Sequence, residues 1–353
     1  MRDSEKFFTG EKQGKRAYIR IAGAALLLII LAGCRLQRDI SIAGSTMGTT
    51  YYIKVVAGYF DRTSDLKAAI DRRLKEINES MSIYAADSEI SRFNAFQTPG
   101  APFAVSADFF NVVQAAEKLY RLTDGAWDGT IKPLVNLWGF ESLAAQKKIP
   151  AKEDINRLLS EVGFGLIELS DSRHIQKKRS TVSLDLNSIA KGYAVDQIAI
   201  VIRNKGYENF LVEIGGEVYA SGQRKDRQSW RVGINWPLKE APVNQIYRVV
   251  NLQNRALATS GDYRNFFEIK GRRYSHVLDP RTGYPVNNSV VSASIVAPTC
   301  MFADGLATAL MVMGPDKGIE LVERLDNVEA MMVVQQADGL LVDYFSKGFK
   351  VSQ

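Results

Sequence analysis

The sequence predicts an α+β fold: one large domain with helices packed on an antiparallel or mixed sheet. Residues 64–165 read mainly as helix, with clear apolar periodicity over Leu66–Ile77 and Ala107–Leu122 and loops rich in Asn, Gly and Pro. Residues 180–350 alternate β-rich runs with a few helices. Neither half contains a phosphate-binding glycine loop of a doubly wound fold, GxGxxG after a strand or GxxxxGKS/T.

The expected strands are Val182–Leu186, Phe210–Ile214, Glu217–Ala220, Trp230–Asn235, Tyr247–Leu252, Phe266–Ile269, Arg273–Leu278, Ser292–Val296, Ala330–Val334 and Leu340–Tyr344. Lys270-Gly271 and Asp338-Gly339 carry tight-turn chemistry between neighbouring strands. No repeat, low-complexity run or long Pro/Ser linker divides residues 40–353, although 353 residues would allow two typical domains.

A composition of 46% hydrophobic and 24% charged residues excludes a disordered, collagenous or disulfide-dense protein. The net charge is +6, but residues 1–33 hold six Lys/Arg against three acidic residues, so the body is close to neutral. Nothing calls for nucleic acid as a partner. Only Cys34, Cys300, His174 and His276 could ligate zinc through sulfur or imidazole, and their spacing fits no conventional site. A metal would have to be a hard ion on oxygen ligands.

Arg2, Lys6, Lys12, Lys15, Arg16 and Arg20 precede an apolar run, Ile21 to Ala32, of 12 residues. About 20 are needed to span a bilayer, so the segment reads as a secretory signal, with an uncleaved anchor helix as the alternative. Either places the body outside the cytoplasm and against a membrane. Leu31-Ala32-Gly33-Cys34 resembles a bacterial lipobox, which implies cleavage before Cys34 and lipidation of its thiol. The expected layout is a signal over residues 1–33, a tether over 34–41 and a domain over 42–350. The expected location is the periplasmic face of a bacterial membrane, the inner one. Cys300 reads as a buried small hydrophobe.

Three segments carry candidate chemistry. Ala303 to Met313 reads as a helix stopped by Gly314-Pro315, with Phe302, Leu306, Ala309 and Met313 on one face and Asp304 and Thr308 nearly opposite. That carboxylate and hydroxyl, one turn apart, fit Mg²⁺; alternatively Asp304 caps the helix and Thr308 bonds its own backbone. In Ser183 to Tyr193 a strand bearing Asp185 enters a helix capped by Asn187 or Ser188 and closed by Gly206, with Lys191 one turn in. Such a helix start suits an anion. In Ser275 to Gly283, His276 lies at a strand end before the Asp279-Pro280 turn.

In chain order the motifs are Gly44-Ser45-Thr46-Met47-Gly48-Thr49, Met81-Ser82-Ile83-Tyr84 with Ser88 to Asn94, Asp124-Gly125-Ala126-Trp127-Asp128, and Pro133 to Phe140. Then follow Asp185 to Tyr193, Gly215-Gly216-Glu217-Val218, Thr259-Ser260-Gly261-Asp262-Tyr263, His276 to Gly283, and Ala303 to Thr308. From Ile42 almost to the C-terminus this series resembles the ApbE-type FAD:protein FMN transferases. The resemblance implies transfer of FMN from FAD to a threonine, sometimes serine, hydroxyl of a protein, with release of AMP. It implies extracytoplasmic acceptors, subunits of sodium-pumping (Nqr-type) or Rnf-type electron-transport complexes. It also implies FAD contacts from Met47, Tyr84, Ala126, Trp127, Asp128, Asp185, Lys191 and Leu278. Mg²⁺ would be held by Asp304, Thr308 and the main-chain oxygen of Ser188, with His276 acting at the transfer step. Some members carry Asp in place of Ala307, Glu in place of Lys191, and Asn or Asp in place of Glu213.

As a phosphoryl transfer, the reaction should rest on positioning and charge neutralisation. An imidazole, ordinarily titrating near 6.5, suits the task of accepting the acceptor's proton. Tyr84 and Trp127 offer faces for flavin or adenine, and Lys191 positive charge for the pyrophosphate. Two alternatives are Mg²⁺-dependent hydrolysis of FAD to FMN and AMP, and a non-catalytic flavin-binding lipoprotein.

Overall fold

The computed structural model describes residues 36–140, 149–170, 172–238, 241–242, 245–262, 266–269 and 272–352. β1 (Gln37–Thr46) and β2 (Thr49–Gly58) pair along their full length, Gln37 opposite Gly58 and Thr46 opposite Thr49. Met47 and Gly48 join them with φ 50° and 71°, as a two-residue hairpin requires. In β2, Tyr51, Ile53 and Val55 are buried with period two. Residues 37–41 belong to β1: their backbone pairs with β2, and Ile40 packs on the core.

Next come α1 (Leu66–Met81), α2 (Glu89–Ala95), β3 (Phe103–Ala104), α3 (Ala107–Leu122), α4 (Lys132–Trp138), α5 (Lys152–Leu159), β4 (Ile167–Ser170) and β5 (His174–Lys177). α3 matches the expected helix; α1 runs one turn beyond Ile77, where Ser80 and Met81 are buried. Serines cap α2 and α3: Ser88 Oγ accepts from Ser91 N, and Ser106 Oγ from Phe109 N.

The remaining elements are α6 (Asn187–Asn204), β6 (Phe210–Ile214), β7 (Glu217–Ser221), β8 (Trp230–Asn235), β9 (Ile246–Leu252), β10 (Arg255–Gly261), β11 (Phe266–Ile269), β12 (Arg272–Ser275), β13 (Leu278–Asp279), β14 (Tyr284–Pro285), β15 (Val290–Ala297), α7 (Cys300–Met313), α8 (Pro315–Val322), β16 (Glu329–Gln335) and β17 (Leu341–Phe345). Eight strands form one sheet in the order β1-β2-β6-β7-β10-β15-β16-β17, every neighbouring pair antiparallel. The main core lies between one face of this sheet and α1, α3, α6 and α7. On the other face Trp230, Ile234, Val250 and Leu252 of the β8–β9 hairpin cover Val218, Leu257, Val291 and Met331.

Three expectations need correction. Val182, Leu184 and Leu186 are buried, but the segment joins no sheet, because its polar backbone is satisfied elsewhere. The Asn94 side chain donates to Leu184 O (2.9 Å) and accepts from Leu184 N (2.7 Å), while Gly129 O accepts from Asp185 N (2.7 Å). Neither Asn187 nor Ser188 caps α6; Leu186 holds that position, and Asp185 Oδ1 accepts from Asn187 N (3.0 Å). The strand expected over Arg273–Leu278 is interrupted at His276 and Val277, between β12 and β13. The Asp338-Gly339 turn joins β16 to β17, with Gly339 at φ 86°. The Lys270-Gly271 turn lies outside the described residues.

The pairing gives the sheet two distinct ends. Met47-Gly48, Gly215-Gly216, the close of β10 and the Asp338-Gly339 turn gather at one. The start of β1 and the close of β2 lie at the other.

Candidate active site

α7 is buried on nearly all sides, so its polar stripe of Asp304 and Thr308 is not a solvent face. Phe302 and Met313 are half-buried, whereas Asp304 is buried. Asp304 does not cap the helix. α7 starts at Cys300, and Asp196 of α6 accepts from Cys300 N (2.8 Å) and Met301 N (2.9 Å). Burial pushes the Asp196 carboxyl up to about 6. Thr308 Oγ1 lies 2.9 Å from Ser260 Oγ at the close of β10, and more loosely, at 3.4 Å, donates to Asp304 O. The buried Cys300 is the small hydrophobe expected.

α6 and α7 cross at Gly192, where a Cβ would lie 2.4 Å from Cys300 O. Gly192 N donates to Asp304 Oδ2 at 3.0 Å. In an α-helix that N–H serves the carbonyl four residues back, which is Ser188's, so Ser188 O and Asp304 Oδ2 converge on one donor. Gly192→Ala is expected to force the helices apart and to cost about 1–3 kcal/mol, as overpacking does. A lowered thermal midpoint, together with weakened FAD binding, is the measurement.

Lys191 Nζ donates to Glu217 Oε1 at 2.7 Å and lies 3.8 Å from Asp304 Oδ2. Among the described residues, Glu217 Oε2 is buried without a hydrogen-bond partner. Ionised, the group holds one cation and two anions in a desolvated space, and burial pushes both carboxyls up, Glu217 to about 8. The folded protein thus retains a proton that the unfolded chain releases near 4.5. The stability this gives is complete below that pH and is lost as pH rises through about 8. In EDTA the thermal midpoint is expected to fall as pH rises from about 5 to about 8, with a flatter profile for Glu217→Gln.

Trp127 is 2% exposed and donates from Nε1 to Ser188 Oγ at 2.9 Å. Its ring offers no open face for a flavin; it positions the start of α6. Ala126 and Asp128 are likewise buried. Asp128 Oδ1 accepts from Thr130 N (2.8 Å) and Thr130 Oγ1 (2.6 Å), and burial pushes its carboxyl up to about 6. Tyr84 is 78% exposed and does present a face. Met47 sits in the β1–β2 turn, and Asp185 is half-buried. The Leu278 side chain packs with Leu134, Trp138 and Ile155.

His276 is half-buried at the β12–β13 break. Asp279 accepts from Arg281 N, Nε and Nη2, so it holds the turn. Arg281 lies against Gly125, which joins this turn to the loop carrying Trp127. A cavity of about 290 Å³ opens between Tyr120, Asp124, Asp128, Pro280 and Arg281, lined by none of Ser188, Asp304 and Thr308.

Glu217, Ser260 and Asp196 were not singled out as site residues from sequence. Glu217 and Ser260 lie within the Gly215–Val218 and Thr259–Tyr263 motifs, but a partner for Lys191 or Thr308 is visible only once β7 and β10 adjoin. Glu213 closes the hairpin turn by accepting from Gly216 N at 2.7 Å. Among the described residues no group of three or more His, Cys, Asp or Glu side chains is placed to hold a metal. Asp304, Thr308 and Ser188 O form an all-oxygen set with one carboxylate. That fits a hard ion that keeps water and phosphate among its ligands.

A large antiparallel sheet with helices packed on one face and a buried carboxylate at a helix crossing define an α+β protein with a candidate ion-binding site. The chain belongs to the ApbE family, whose sequence pattern matches residues 47–332. It is 42% identical over 326 residues to the FAD:protein FMN transferase of Vibrio cholerae, covering 92% of this chain and 96% of that one. With the Haemophilus influenzae FAD:protein FMN transferase it shares 38% identity over 333 residues, 93% and 95% of the two chains. The structure of the Vibrio cholerae flavin transferase ApbE superposes with a TM-score of 0.80 at 40% identity, covering 89% of this chain and 98% of that one. The apo flavinyl transferase ApbE of Pseudomonas stutzeri gives 0.79 at 35% identity, over 88% and 95%.

Proposed function

We propose that this chain is a Mg²⁺-dependent FAD:protein FMN transferase acting on a threonine or serine of an extracytoplasmic protein. The observation that supports this reading is the buried Asp304 carboxylate meeting the first turns of α6 through Gly192 N, with Thr308 one turn further along α7, within a chain of this family. The acceptor Oγ attacks the phosphorus of the FMN half of FAD. The bond from that phosphorus to the bridging oxygen breaks, AMP leaves with that oxygen, and a phosphoester forms. The acceptor's proton passes to His276.

Asp304, Thr308 and Ser188 O would hold Mg²⁺, which when bound would supply positive charge to the pyrophosphate. Ser260 orients the Thr308 hydroxyl, and Trp127 fixes Ser188. Lys191 has its ammonium engaged by Glu217, so it neutralises buried carboxylates where the sequence suggested service to the pyrophosphate. Tyr84 supplies the exposed ring for stacking. Nqr- or Rnf-type subunits are the acceptors, reached from a membrane tether at Cys34; that residue and the leader lie outside the described residues.

The test is incubation with FAD, Mg²⁺ and an acceptor subunit, followed by denaturing electrophoresis. Protein-bound flavin fluorescence and one AMP per flavin are expected. Free FMN with AMP would mean hydrolysis, and intact FAD would mean binding alone.

A further inference from the structure

We propose that the end of the β1–β2 hairpin remote from the candidate site is a second membrane contact, formed by Leu36, Tyr59 and Phe60. These side chains are 58%, 57% and 81% exposed. They adjoin: Leu36 O accepts from Tyr59 N at 2.9 Å, and the Tyr59 and Phe60 rings stand edge to face with centroids 5.4 Å apart. Large apolar side chains commonly lie singly on a soluble surface, but a group of them marks an interaction site.

The occupant follows from where the chain enters. Leu36 is two residues beyond Cys34 and four beyond the apolar run that ends at Ala32. Two extended residues reach about 7 Å at most. With Cys34 acylated, the headgroups therefore lie within contact of Leu36, and so of its neighbours; an apolar helix ending at Ala32 would leave about 14 Å at most. Tyrosine suits that depth, with an apolar ring and a wet hydroxyl. Exposed Arg38 and Arg62 flank the group, while the Asp61 carboxylate turns back to accept from Gly58 N at 2.7 Å. The inference rests on the membrane-tether reading and not on the transferase assignment.

It also orients the molecule. Gly215 N donates to Thr50 O at 3.0 Å, and a Cβ on Gly215 would lie 3.3 Å from Lys191 Cδ, so Lys191 sits at the Met47-Gly48 end. β1 spans ten residues between the two ends. At about 3.3 Å per residue, the Met47-Gly48 end, beside Lys191, is held no more than about 33 Å from the bilayer. A membrane-bound acceptor then has to present its hydroxyl at or below that height.

The experiment uses the lipidated chain in phosphatidylethanolamine/phosphatidylglycerol vesicles, where Cys34 is acylated and Cys300 is buried. Phe60→Cys or Tyr59→Cys carries an environment-sensitive dye, with Leu340→Cys at the opposite end as control and the unsubstituted chain as the labelling blank. Lipids with nitroxides at the headgroup boundary are expected to quench the dye at 60 and 59 at least about threefold more than at 340, at the depth interfacial side chains occupy. Equal quenching in a chain that floats with the vesicles would overturn the second contact and leave the tether standing. A chain that does not float would overturn both.

Discussion

Replacing Asp304 with asparagine is expected to lower FMN transfer by at least about 10³-fold while leaving the fold intact. The asparagine side-chain oxygen still accepts from Gly192 N, so the α6–α7 crossing keeps its hydrogen bond. What goes is the one carboxylate among the proposed metal oxygens. A bound cation contributes several kcal/mol to a phosphoryl transition state, and each 1.36 kcal/mol is tenfold in rate. A second readout has the opposite sign. Burial pushes the Asp304 carboxyl up, which shows that its charge is costly when unmatched. Without metal the variant is therefore expected to melt no lower than the parent, and the rise in melting temperature that Mg²⁺ gives the parent should vanish. Full transfer at limiting Mg²⁺ would remove the ion from Asp304.

The path from sequence to site explains why some parts were legible. Phe210–Ile214 and Trp230–Asn235 came out with their boundaries correct, because alternating apolar residues bounded by turn chemistry carry a local signal. β10 was missed: Arg-Ala-Leu-Ala-Thr-Ser-Gly has little strand propensity and is held by β7 and β15 on either side. β1 and β2 were missed although Tyr51, Ile53 and Val55 alternate. The i, i+4 spacing does place Asp304 and Thr308 one turn apart on α7, with Thr308 Oγ1 on the Asp304 main-chain oxygen. Their surroundings were not legible, since Glu217, Ser260 and Gly192 arrive from three other elements. Trp127 failed for a related reason: its motif marks proximity to the site, and burial decides that it props Ser188 where a stacking surface was expected.

His276→Ala is expected to slow transfer by roughly 10²- to 10⁴-fold, the usual worth of a positioned proton acceptor, with FAD affinity little changed. The backbone beyond the ring is pinned independently: Ser275 Oγ accepts from Val277 N (3.0 Å), and Val277 O from Val286 N (2.9 Å). Leu278 remains anchored on Trp138, whose Nε1 donates to Gly283 O at 2.9 Å. Loss of the imidazole should therefore leave the turn in place. A structural role and a catalytic one separate on the pH profile. If His276 takes the acceptor's proton, kcat/KM of the parent declines on the acid side as the ring becomes protonated, and that limb disappears in the variant. His276→Gln, which keeps hydrogen-bonding capacity but accepts no proton at neutral pH, should lose as much rate as the alanine variant. Were FAD binding to collapse while transfer per bound FAD stayed normal, the imidazole would be a support for the flavin pocket and the proton would leave by another route.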